Sequence, residues 1–240
     1  MTTTTLSMLQ AAIIDLDGTM VDTMGDFEVA LNRMLADFAR AAVPRSFIER
    51  TVGKGSEHLI RSTLEYVSKQ AAGSAEYAQP AIKNVVLEVK FDDAWRHYQH
   101  HYRAVNGQSS AVYEGVVEGL DMLKSRGLKL ACLTNKPTAF ALQLLKLKGL
   151  DGYFSHVFGG DAFERKKPDP LPLLKTCEAL GTLPAHTLMV GDSSNDAAAA
   201  RAAACPVVLV TYGYNHGEPI RAVPADGYVD SLGQLAAVLV

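Results

Sequence analysis

Cysteine is scarce in this chain of 240 residues: Cys132, Cys177 and Cys205 are the only three. An odd count without CxxC spacing excludes a disulfide framework, and leaves three small apolar residues suited to a reducing compartment. No apolar run approaches the roughly 18 residues that a bilayer-spanning helix needs. A basic excess is missing too, since 23 Lys and Arg face 26 Asp and Glu, for a formal net charge of -3. That balance supplies no long-range attraction for nucleic acid or an anionic membrane. The tightest basic cluster, Arg165-Lys166-Lys167, is too short to track a phosphate backbone. Residues 1–10 are rich in threonine and lack the basic start and apolar centre of a secretory signal, so a cytoplasmic location is expected. Nothing repeats at a fixed period, which argues against a solenoid.

What is present is ordinary globular material, 48% hydrophobic and 20% charged, long enough for one large domain or a core with an insert. The run Ala11-Ala12-Ile13-Ile14 reads as a buried strand. Helical spacing of Phe27, Leu31, Met34, Leu35 and Phe38 predicts a helix closed by Pro44. Val52-Gly53-Lys54-Gly55 predicts a turn, and Leu59, Ile60, Leu64 and Val67 a second helix over 56–72. Residues 73–80 read as a surface connection, and 81–105 as a third helical region, with a break within it. From residue 112 the texture changes. Helices over 116–126, 138–147, 169–180 and 195–204 alternate with strands over 128–133, 156–158, 187–190, 206–210 and 227–229, before a last helix. Alternation of this kind means a parallel sheet covered on both faces. The expected fold is therefore α/β, a Rossmann-like parallel sheet with helices on both faces and an inserted all-helical domain. Residues 1–23 and 108–240 would form the core and 24–107 the insert.

In such a sheet, ligands sit beyond the C-terminal ends of the strands. The first strand stops at Asp15-Leu16-Asp17-Gly18-Thr19, the second at Thr134-Asn135, and a later one at Gly191-Asp192-Ser193-Ser194-Asn195-Asp196; Lys167-Pro168 precedes a helix. Strand alternation would send Asp15 and Asp17 to one side and Leu16 to the other. Paired carboxylates are costly unless something positive sits beside them, and a hard dication such as Mg2+ answers that need. Carboxylates, a hydroxyl with an amide, and a lysine together fit phosphoryl transfer. Each also has a plainer reading: Asp17-Gly18 as a turn, Thr134-Asn135 as a helix cap, Lys167 as a solvated lysine with Lys166 turned inward instead, and Asp196 as a helix-starting acid. Asp22 and Thr23 are expected to have a local structural role.

The ordered set of four motifs resembles the haloacid dehalogenase superfamily, in its phosphatase branch with a helical (C1-type) cap, over nearly the whole chain. That resemblance implies that the insert, 24–107, is the cap domain. Val52-Gly53-Lys54-Gly55 and Thr211-Tyr212-Gly213-Tyr214-Asn215-His216-Gly217 are most similar to phosphoglycolate phosphatases. The resemblance implies a Mg2+-dependent phosphatase for a small phosphorylated metabolite, 2-phosphoglycolate first, acting through an aspartyl-phosphate. Asp15 would be the nucleophile and Asp17 the general acid and base. The metal would be held by the side chains of Asp15 and Asp192 and the backbone carbonyl of Asp17, with Asp196 orienting that shell. Thr134 and the Asn135 N–H would hold the phosphoryl group, and Lys167 would offset its charge. Lys54 would reach from the cap to the substrate. A sugar phosphomutase, a phosphatase for another sugar or amino-sugar phosphate, and a phospho-accepting regulator remain as alternatives. The retained Asp17 argues against the regulator, and against a dehalogenase or phosphonatase. The chain would be a monomer or homodimer.

Two features fall outside this set. His97 and His101 lie four apart on a predicted helix, the spacing of a transition-metal pair. No HExxH arrangement accompanies them, so they read as solvated or partly packed histidines. Gly53 and Gly55 are not a phosphate loop, because no strand precedes them and no Lys-Ser pair follows.

Overall fold

A computed structural model describes residues 8–75 and 89–238. Its centre is a six-stranded sheet of order β5-β4-β1-β6-β7-β8, parallel throughout. The strands are β1 (Ala11–Ile14), β4 (Lys129–Leu133), β5 (His156–Phe158), β6 (Thr187–Gly191), β7 (Val207–Val210) and β8 (Gly227–Val229). β1 lies between β4 and β6, with Ile14 paired to both Cys132 and Val190. All four β1 residues are buried, as expected of a central strand covered on both faces.

Alternation divides the sheet cleanly. Ala12, Ile14, Leu130, Cys132, Leu188 and Val190 face one apolar cluster, with α5 (Val116–Ser125) and α6 (Thr138–Leu147). Ala11, Ile13, Ala131, Leu133 and Met189 face the other, with α7 (Leu171–Leu180) and α8 (Ser194–Ala202). This period of two is what the continuous apolar runs of the sequence encode. A short α9 (Leu235–Val238) follows the last strand. The three cysteines are free and buried, as the sequence suggests. Among the described residues no helix is long and apolar enough to cross a membrane.

Between β1 and β4 the chain leaves the sheet and returns. The outgoing β2 (Val21–Asp22) and returning β3 (Ala111–Val112) pair antiparallel, two short strands that periodicity cannot reveal. Beyond them lie α1 (Met24–Asp37), α2 (Arg45–Thr51), α3 (Ser56–Ala75) and α4 (Phe91–Val105). These helices share their own apolar cluster, with Leu31, Met34, Leu35, Ile48, Ile60 and Tyr98 fully buried.

The structure corrects three boundaries. α1 ends at Asp37 rather than at Pro44, because Ala39 turns left-handed (φ 52) and the Arg40 N–H bonds back to Leu35. Pro44 instead starts α2, an element the sequence reading lacked, where its fixed φ and missing N–H are harmless. α3 runs on to Ala75, through part of the predicted surface connection. The rest of that connection and the start of the third helical region lie outside the described residues.

Candidate active site

β1 is flanked by strands reached in opposite directions, so a crevice opens past its C-terminal end. The strand alignment continues one residue past β1, with the Asp15 N–H donating to Val190 carbonyl oxygen at 3.0 Å. The chain then turns sharply at Gly18, whose φ of +82 and position against Asp192 both exclude a side chain; a Cβ there would lie 2.2 Å from Asp192 Oδ2.

The crevice is built around two buried lysines, each holding a different aspartate of the first motif. Lys167 Nζ lies 3.1 Å from Asp15 Oδ1 and 2.7 Å from Asp196 Oδ1, and also donates to the Leu133 carbonyl at 2.9 Å. Lys167, not Lys166, is therefore the inward lysine, at 3% exposure. Burial works against its ammonium charge, but Asp15 and Asp196 outweigh this and hold its pKa above the usual lysine range. Lys136 Nζ lies 2.8 Å from Asp17 Oδ1 and also bonds the Tyr102 hydroxyl, with the rings of Tyr102 and Phe27 at 4.8 and 4.9 Å.

The carboxylates of Asp15, Asp192 and Asp196 are all buried, and their ligand atoms lie within 4.8 Å of one another. Asp192 is held by the Tyr214 N–H at 2.6 Å. Asp196 accepts from the N–H groups of Asp192 and Ser193, at 3.2 and 3.1 Å, and from the Ser193 hydroxyl at 2.7 Å. It thus starts α8 in a capping box and also ties that helix to Lys167. The helix-starting reading of Asp196 therefore holds, and the same side chain also pairs with Lys167.

Burial pushes the Asp15 pKa up to about 7, with Lys167 opposing and Asp196 adding to the rise. Asp192 is raised well above the carboxylate range by burial first, then by Asp196 and Asp15. Four carboxylates, those of Asp15, Asp17, Asp192 and Asp196, face two ammonium groups here. Full ionisation leaves two negative charges over, which one dication would balance. Oxygen donors alone, close together and buried, suit a hard cation. The acidic cluster can therefore hold a metal ion.

Thr134 and Asn135 line the same crevice as Asp15, Asp17 and Lys136, together with Gly53, Gly55, Ser56 and Tyr102 from the helical segment. Thr134 Oγ1 accepts the Lys136 N–H at 3.2 Å, which leaves its own hydroxyl proton to donate. The Asn135 amide donates to the Lys167 carbonyl at 2.8 Å and the Gly53 carbonyl at 3.0 Å, so it docks the 52–55 turn onto the sheet edge. Asn195 donates to the same Gly53 carbonyl at 3.3 Å. Lys54 is exposed and lies outside the enclosed crevice, in an adjoining cleft lined also by His58, Lys166, Lys167 and Asn195. Burial lowers the pKa of His58, and Lys54 and Lys166 lower it further, the mark of a locally positive wall. Asp22 accepts from the Met24 N–H at 3.1 Å and from the Tyr214 hydroxyl, a local bracing contact.

Lys136, Tyr102 and Tyr214 were not singled out from the sequence as site residues. Lys136 follows Thr134-Asn135 directly, and a lysine at a strand tip was the available signal. Tyr102 gave none, because it sits in the apolar stripe of α4 and only its hydroxyl reaches the crevice. Tyr214 lay in a segment noted only as a whole.

A buried acidic sheet edge, crossed by helices inserted after the first strand, is the arrangement of one class of hydrolase. The family model for haloacid dehalogenase-like hydrolases matches residues 12–210, and the chain belongs to that family. It is 39% identical over 231 residues to a phosphoglycolate phosphatase of Thiobacillus denitrificans, covering 96% of each chain. A plasmid-encoded phosphoglycolate phosphatase of Cupriavidus necator is 42% identical over 229 residues, covering 95% of this chain and 92% of that one. The solved structure of a predicted phosphoglycolate phosphatase from Haemophilus somnus superposes with a TM-score of 0.86 at 30% identity, covering 96% of this chain and 98% of that one.

Proposed function

We propose that 2-phosphoglycolate is the substrate of this phosphatase, that Mg2+ is its metal, and that Asp15 is its nucleophile. The observation that carries the reading is Lys167, buried between Asp15 and Asp196 at the edge where Asp192 also arrives. The names of the relatives support the substrate. So does the positive cleft beside the crevice, where Lys54 and Lys166 would meet a second anionic group such as a carboxylate.

The Leu16 N–H, at 2.7 Å, and Lys167 fix Oδ1 of Asp15 and so set the direction of its carboxylate. Attack on phosphorus forms an aspartyl-phosphate and breaks the ester P–O bond, and Asp17 gives its proton to the departing alkoxide. Water then attacks phosphorus, Asp17 takes a proton from it, and the Asp15–phosphorus bond breaks. Lys136 and Tyr102 hold Asp17 in reach of both events. Thr134 and the Asn135 N–H would donate to the equatorial oxygens, and Lys167 would offset their charge. Asp15, Asp192 and the Asp17 carbonyl would hold the metal, with Asp196 orienting them. The bound dication supplies charge neutralisation and favours ionised Asp15. Residues 24–107 would act as a cap on a core of 1–23 and 108–240, excluding bulk water through the 52–55 turn and Tyr102.

The test is phosphate release from a panel of monoesters with Mg2+. 2-Phosphoglycolate should give the highest kcat/KM, and hexose or amino-sugar phosphates at least tenfold less. A preference for those sugars overturns the substrate. Interconversion of sugar phosphates without phosphate release would make the chain a mutase.

A further inference from the structure

The acidic partner that no local motif supplies for His97 and His101 arrives from another helix. Asp37 closes α1, and its Oδ2 lies 2.7 Å from His97 Nδ1 and 2.7 Å from His101 Nε2. The three ligand atoms lie within 4.8 Å of one another on the outside of the helical segment. We propose that Asp37, His97 and His101 form a binding site for one borderline transition-metal dication, of the class represented by Zn2+.

Several observations converge on this. The four-residue spacing places both imidazoles on one face of α4, where they meet the end of α1. Their rings are braced by neighbours rather than free: Phe38 packs on His97 at 4.8 Å and His100 meets His101 edge-on at 5.3 Å. Without a metal, both rings must present an N–H to one carboxylate oxygen. A dication replaces those two protons and takes neutral imidazole nitrogens and an ionised carboxylate, the ligand types zinc prefers. The histidine contacts already hold the Asp37 pKa below the carboxylate range.

Tetrahedral bonds of about 2.0–2.1 Å separate ligand atoms by roughly 3.3 Å, so the two Asp37 contacts need to open by about 0.6 Å and the two imidazole nitrogens, within 4.8 Å of each other, to close by no more than about 1.5 Å. Side-chain exposures of 34% for Asp37, 43% for His97 and 18% for His101 leave room for that movement and for a water as fourth ligand. Two imidazoles disfavour Mg2+, whereas the carboxylates of the crevice suit it, so the two sites are chemically distinct. They are also apart in space. α1 starts beside the Tyr214 hydroxyl and reaches Asp37 as the last of its 14 residues, a helix roughly 20 Å long. A metal there would clip the end of α1 to α4 without touching the crevice.

The experiment is calorimetric titration of the whole chain with Zn2+ in excess Mg2+, which keeps the crevice occupied, repeated with Co2+ while its visible absorption is followed. One dication should bind per chain with micromolar Kd, and Co2+ should show the intense bands of low coordination. Asp37→Asn, His97→Gln and the His97→Ala/His101→Ala double variant should each weaken binding by about tenfold or more. These are surface changes, and circular dichroism of the single variants establishes that the fold is kept. Absence of Zn2+ uptake by the wild type in Mg2+, or titrations of the single variants that superimpose on it, overturns the site.

Discussion

At the scale of single residues, the crevice separates two carboxylates by giving each its own lysine. Asp15 is fixed by Lys167 and the Leu16 N–H, and Asp17 by Lys136. With Asp15 as the proposed nucleophile, the effect of losing its carboxylate should be close to absolute. Asp15→Asn is expected to lower kcat by about 10⁴-fold or more while the far-ultraviolet spectrum is unchanged. Residual turnover within a hundredfold of wild type would remove Asp15 from the nucleophile's role. Lys136→Met is the complementary test. It leaves Asp17 at the crevice without its ammonium partner, and breaking a buried pair of this kind costs about 3–5 kcal/mol. A fall in Tm is expected together with a lower kcat, since Asp17 loses the contact that aims it. If kcat survives intact in the folded variant, Lys136 only braces the structure. Lys54→Ala reports on the outer cleft. KM for 2-phosphoglycolate should rise by about tenfold while KM for an uncarboxylated alkyl phosphate should hardly change, because only the former brings a second anion. Equal effects on both would place Lys54 outside substrate recognition.

At the scale of elements, a single buried aspartate ties the helical segment to its return connection. Asp26, in the first turn of α1, accepts the N–H groups of Gly107 and Ser109, each at 2.7 Å, and is itself fully buried. Asp26→Ala leaves two donors unpaired, at a cost of about 2–4 kcal/mol. For a chain of this length that is a fall in Tm of roughly 4–16 °C by calorimetry; an unchanged Tm would mean that water replaces the carboxylate. Contacts of this sort are what the sequence hides. The strands and helices of the sheet were legible because their apolar runs are continuous and end abruptly at Asp15, Thr134 and Asp192, each marking a strand tip. α2 was not, since seven residues with two buried positions carry little periodicity. The paired strands β2 and β3 were not, since two residues define no alternation. The motif lysine Lys167 could be read from its neighbour Pro168, whereas Lys136 meets Tyr102 only because α4 folds back over the sheet edge. The same holds for Asp37, which lies 60 residues from His97 in sequence and in contact with it in space.

At the scale of the whole molecule, the fold concentrates negative charge where burial makes it most costly, in a cluster able to hold a cation. Stability should then depend jointly on pH and metal. In the metal-free chain the Asp15 pKa is about 7, raised from a reference of 3.8, so between those values the folded state holds a proton that the unfolded chain has released. A group raised on folding contributes its stability in full below the unfolded pKa and loses it as pH rises through the folded one. Asp192 is raised in the same direction and adds to the effect. Metal-free protein should therefore lose stability between about pH 4 and pH 7 from this cluster, and Mg2+ should restore it. A ligand at a hundred times its Kd adds about 2.7 kcal/mol, and protons compete with Mg2+ for the carboxylates on the acid side. The gain in Tm on adding a fixed Mg2+ concentration should accordingly be larger at pH 8 than at pH 5.5, and chelator should abolish it at both. Scanning fluorimetry across that range decides the matter. An Mg2+ increment independent of pH would mean that the carboxylates of Asp15 and Asp192 are not what the cation meets, and that the surplus charge of the crevice is balanced by protons instead.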